Sequence, residues 1–130
     1  MARSLPLAAE PGSVAVARHW SVAYADAHGF GGVSRTLALL VSELVSNVVL
    51  HARTPCEVRI ARREGRLRVE VHDRSERLPK RSRGTDPLAH SGRGMILVEE
   101  LSDAHGAAAL PDGGGKVVWF ELAAGTEAGR

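Results

Sequence analysis

One cysteine stands in the whole 130-residue chain, so no disulfide can form within it and a disulfide-stapled fold is excluded. A lone Cys56 fits a reducing compartment. No apolar run approaches the roughly 18 residues that a membrane crossing needs. The opening MARSLPLAAEPGS lacks the sustained apolar stretch of a secretory leader. A cytoplasmic protein without membrane contact is therefore expected. Aromatic residues are scarce at 4%, and none lies among the arginines of 59–83, so the stacking platforms of a single-strand nucleic-acid binder are missing. The six histidines, at 19, 28, 51, 72, 90 and 105, lack metal-ligand spacing.

What remains is ordinary for one globular domain: 44% hydrophobic residues, 25% charged residues and a net charge of +2. The charge is unevenly placed. Ten of the 17 basic residues lie between Arg59 and Arg83. Such a cluster suits either an acidic partner or a solvated hairpin with a basic loop. The hairpin is preferred, and no nucleic-acid contact is expected.

Hydrophobic spacing gives the elements. Residues 5–8 suit a short edge strand. A helix follows Pro11 and Ser13, with Val16, Trp20, Ala23 and Ala27 at helical spacing and Gly29 as a stop. Ser34 is a candidate N-cap for a second helix over 34–52. Two strands, 57–63 and 66–72, flank Glu64-Gly65, a tight hairpin signal. The stretch 74–91 reads as a loop. A helix over 93–103 and two strands joined across Asp112–Gly115 complete the chain. The organisation is an N-terminal arm (1–10), one domain (11–122) and a loose tail (123–130). Paired strands with helices between them imply an α/β two-layer sandwich, a mostly antiparallel mixed sheet covered on one face by helices.

The second helix poses a chemical question. At about 100° per residue, Leu37, Leu40, Val41, Leu44, Val45 and Val48 gather into one arc. Glu43, Asn47 and His51 step round beside it, with Glu43 at its shoulder, Asn47 at its edge and His51 within it. A carboxamide oxygen is a neutral hard ligand suited to Mg²⁺. A carboxylate one turn earlier can orient or deprotonate a nucleophile beside the metal. Asp73, at the end of an alternating strand, could accept a hydrogen bond from an adenine amino group. Gly92-Arg93-Gly94 stands at a helix start, where free N–H groups and the helix dipole favour phosphate.

This combination resembles the GHKL (Bergerat-fold) ATP-binding superfamily. ELVSNVVLHA resembles its N box, VEVHDRS its G1 box, GRGMILVEELSDAHG its G2 box, and GGGKVVWFEL the end of its domain. The likeness covers roughly residues 11–122. Compactness points to the anti-sigma-factor serine/threonine kinase branch, particularly its actinobacterial members. The resemblance implies ATP and Mg²⁺ as cofactors. It implies Glu43 as general base and Asn47 as the Mg²⁺ ligand. His51, Asp73, Ser75, Gly92, Arg93, Gly94 and Met95 would lie against the nucleotide. It further implies a homodimer that sequesters a sigma factor and phosphorylates a serine of a STAS-domain antagonist. Three positions depart from the pattern. Ser75 and Arg77 stand where the G1 box has glycines, and Lys116-Val117 stand where a threonine is common. By the resemblance, Ser75 would narrow the space for adenine. The rival reading is a non-catalytic binding module of the same fold, with weak or no nucleotide binding.

Overall fold

The computed structural model describes residues 2–75 and 90–124, the side chains of 90–94 and of Asp112 excepted. Most of the loop expected over 74–91, including Arg77, and most of the expected tail lie outside the described residues.

The alternating stretch behaves as its pattern predicts. Strand β2 (Cys56–Arg63) and strand β3 (Arg66–Asp73) pair antiparallel across Glu64 and Gly65, both at positive φ (52° and 78°). Positive φ at both central residues is the signature of the tight turn whose twist matches a hairpin. Strand β1 (Arg3–Leu7) lies along β2, and strand β5 (Lys116–Ala123) along the other side of β3. Strand β4 (Ala104–Ala109) closes the order β1-β2-β3-β5-β4. All four pairings are antiparallel.

One face of this sheet is the core. Val58, Ile60, Leu67, Val69, Val71, Val118, Phe120 and Leu122 are buried on it. Their alternation with half-buried or exposed neighbours is the period-2 signal of a sheet covered on one side. The cover consists of helices α1 (Gly12–Ala27), α2 (Ser34–Asn47) and α3 (His90–Leu101). Leu37, Leu40, Val41 and Val45 of α2 are fully enclosed. Contrary to the expectation from the sequence, the whole helical run Gly31–Ala52 is long and apolar enough to cross a membrane by length and composition alone. Here that apolar face packs on the sheet instead.

The opposite face carries charge. Arg68 donates to Glu70 at 2.8 Å and to Glu121 at 2.9 Å, while its guanidinium lies 4.0 Å from the centre of the Trp119 ring. Trp119 in turn covers Gly106, where an added Cβ would meet the indole at 2.7 Å. Burial works against the ionised form of Glu70. Hydrogen bonds from Arg68 and His72 outweigh it and leave the pKa below its ordinary value.

Three expectations need correction. Helix α1 does not bury the face of Val16, Ala23 and Ala27, since Val16 is 51% exposed and the two alanines are exposed. It buries Ser13, Ala17, Ser21 and Ala25, together with Tyr24. These four small residues at four-residue spacing form a smooth ridge that lets the helix approach its neighbours closely. Two of them are serines, so the ridge reads as polar in sequence. Ser34 is not an N-cap. It is already helical, after a short 3₁₀ turn at Gly31–Val33, and its hydroxyl donates to Asp26 Oδ1 at 2.9 Å. The third helix begins at His90, not 93.

Candidate functional site

Glu43 and Asn47 lie one turn apart on α2, both half-buried at the margin of its apolar face. Neither side chain has a hydrogen-bond or ion-pair partner among the described residues. A half-buried carboxylate and carboxamide left unpaired are costly features for a helix to carry without use.

His51 departs from the expected stripe. A regular helix would carry it into the apolar arc, but residues Val48–Ala52 form a single π turn, in which Arg53 N–H donates to Val48 C=O at 2.7 Å. Each residue of the wider turn advances less around the axis, so His51 falls short of the arc and is exposed. Arg53 then adopts the left-handed conformation, φ 57°, and breaks the helix toward β2. Such single-turn insertions recur at functional sites.

The π turn brings α2 to the end of the sheet where Asp73 lies. Thr54, in the link to β2, accepts a hydrogen bond from the backbone N–H of Arg74 at 3.1 Å. Cys56 and Asp73 are register partners, and so are Asp73 and Lys116. The N-box helix end, the end of β3 and the start of β5 thus meet at one edge of the core.

Asp73 itself is committed. Its side chain is only 2% exposed and holds Lys116 Nζ at 2.7 Å through Oδ2. Its other oxygen, Oδ1, accepts from the backbone N–H of Ser75 at 2.8 Å. Glycine at 115 is what permits this approach: with φ at 107°, a Cβ there would lie 1.9 Å from the carbonyl oxygen of Asp73. The backbones of 73 and 115 are therefore pressed together, and Lys116 is set opposite Asp73 on the core side. The neighbouring Cys56 thiol is pushed up to about 11, first by burial and then by the charge of Asp73.

Helix α3 packs on α2 and returns the chain to β4 at Ala104, opposite Glu121 and away from Asp73. Helix α3 is described from His90, so Gly92 lies on its backbone two residues into the described helix. Gly94 falls inside the hydrogen-bonded ladder. Met95 is packed into the core.

The two ends of the expected nucleotide site fit it differently. At the phosphate end, Asn47 offers one free neutral oxygen beside the free carboxylate of Glu43, and Mg²⁺ commonly takes one or two protein ligands plus phosphate oxygens. At the base end, both oxygens of Asp73 are already engaged. A groove of about 620 Å³ is lined by Asp73 together with Leu7, Glu57, His72, Arg74 and Leu110; among the described residues neither Glu43, Asn47 nor α3 lines it.

Sequence reasoning named Lys116 only as a departure. Its pairing with Asp73, 43 residues away, requires knowing that β5 lies beside β3. The π turn left no compositional signal at all.

Residues 7–122 match the family model described as the histidine kinase-like ATPase domain. No curated protein matches the chain. With nearly its whole length matched, and with an antiparallel sheet covered on one face by helices, the chain belongs to the histidine kinase-like ATPases of the GHKL superfamily.

Proposed function

We propose that the protein is an ATP- and Mg²⁺-binding regulator of the anti-sigma-factor type. In this reading a cytoplasmic homodimer sequesters a sigma factor and phosphorylates a serine of a small STAS-domain antagonist. The observation that carries it is the pair Glu43 and Asn47, without partners among the described residues, on a helix otherwise committed to the core. Asn47 would hold Mg²⁺, which supplies neutralisation of phosphate charge. Glu43 would orient the serine hydroxyl and accept its proton. Catalysis of this kind is mainly positioning and electrostatics. Gly92, Arg93 and Gly94 would lie along the phosphates, with His51 and Ser75 at the margins of the nucleotide.

A second reading, the non-catalytic binding module, is favoured by one specific observation: the ion pair that occupies Asp73. The two separate in an assay of ATP-dependent serine phosphorylation against small STAS-domain proteins, run beside calorimetry of Mg-ATP. Glu43→Gln should abolish transfer and spare nucleotide binding. Asn47→Ala should weaken Mg-ATP binding itself. Variants that transfer phosphate like the wild type would show these roles to be wrongly assigned. No transfer together with weak or absent Mg-ATP binding would leave the binding module.

A further inference from the structure

The base end of the site contains a residue that performs no function assigned so far. We propose that Lys116 is an internal plug of the purine pocket: its ammonium occupies the carboxylate oxygen of Asp73 that an exocyclic amino group would need, so that adenine binds only by displacing it. The inference rests on the reading of this chain as a nucleotide binder and specifies what limits that binding.

Three observations carry it. The ammonium is 2.7 Å from Oδ2 of Asp73, a full charge-assisted hydrogen bond. The remaining oxygen is held by Ser75 N–H at 2.8 Å, so each oxygen already has a donor, and at 2% exposure the carboxylate has little room to admit another. Both members are enclosed, with side chains 10% and 2% exposed, so the pair is shielded from water and from salt. The placement is built into the backbone. Gly115 presses against Asp73 and Arg74, and the β3–β5 register puts residues 73 and 116 side by side. Lys116 is thus delivered to the carboxylate by the sheet itself, not by a mobile loop.

An amino group of adenine is a neutral donor, and lysine is a charged one. Exchange of the second for the first gives up a stronger hydrogen bond and leaves a largely enclosed ammonium without its counter-ion. Nucleotide affinity is therefore lowered by the plug, and the preference for a 6-amino purine over a 6-oxo purine is blunted, because the reading group is engaged elsewhere.

The test is calorimetry of Mg-ADP and Mg-IDP against the full chain, its Lys116→Thr variant and its Lys116→Gln variant, each checked for a cooperative unfolding transition. Lys116→Thr should bind ADP at least about tenfold more tightly than the wild type, a change of about 1.4 kcal/mol. Its preference for ADP over IDP should widen by a similar factor, with Lys116→Gln intermediate. Adding Asp73→Asn should take most of the gain away. ADP binding that is unchanged or weaker in both lysine variants, while the wild type binds, overturns the plug and leaves the nucleotide reading standing. Absence of binding in every folded form overturns both. A second measurement needs no variant. Lys116 is one of two lysines in the chain, so amine acylation read by peptide mass can follow it directly. It should be protected without nucleotide and labelled at saturating millimolar Mg-ADP. Protection that persists in the presence of nucleotide refutes displacement.

Discussion

Removing the charge of Lys116 while keeping its stem, as Lys116→Met, isolates the stability held in the Asp73 pair. At 2.7 Å and an effective dielectric of about 20, two unit charges attract by about 6 kcal/mol. Desolvation of both ions returns much of that, and the pair as a whole contributes little. Its single removal is different. The substitution deletes the attraction but leaves the carboxylate enclosed, and breaking a buried pair from one side costs about 3–5 kcal/mol. With an unfolding entropy of about 2.1 cal/mol/K per residue over 130 residues, the loss corresponds to a fall of about 11–18 °C in Tm. Urea unfolding measures it directly. Adding Asp73→Asn removes the stranded charge and keeps an oxygen for Ser75 N–H, so the double variant should recover most of the loss. The signature is strong coupling in the double-mutant cycle. A single substitution costing under about 1 kcal/mol, or two costs that simply add, would refute the claim that this pair is buried and interdependent.

Other consequences are equally direct. Cys56 should resist alkylation by iodoacetamide at pH 8 in the folded chain and react once urea unfolds it, since its raised pKa leaves almost no thiolate. Glu70 and Glu121 both ionise more readily in the fold than in the unfolded chain: burial opposes this, but the Arg68 hydrogen bonds prevail. Their contribution is therefore complete above the unfolded carboxylate pKa of about 4.3 and is lost as the pH falls below it. Acid unfolding of Arg68→Met should show a shallower stability decline between about pH 5 and 3. Gly115→Ala should destabilise by more than about 2 kcal/mol, seen as a lower urea midpoint, because a Cβ meets backbone on β3 at a φ that alanine disfavours.

Local chemistry was legible where it was periodic. The β3 alternation and the Glu64-Gly65 turn gave the hairpin and its inward face. The apolar arc of α2 gave the core helix together with the edge position of Glu43 and Asn47. Two failures have separate causes. The face of α1 that packs is smooth rather than apolar, and its serines concealed it. His51 followed the arithmetic of a regular helix that a single π turn interrupts. The Asp73–Lys116 pair had no local signal, because it depends on strand order, and strand order is a property of the whole chain.

The sheet order has a kinetic side. Two of its four pairings join strands with no α-helix between them in sequence, β2 with β3 and β4 with β5, and each can close over a short connection. The other two join Arg3 to Ile60 and Asp73 to Lys116, and bring together ends separated by entire helices. Loop closure makes these the entropically expensive steps, so the rate of folding is governed by the docking of preformed hairpins rather than by their formation. The lysine and aspartate then meet only when the second of those docking events is complete, and their contact reports that the central seam has closed.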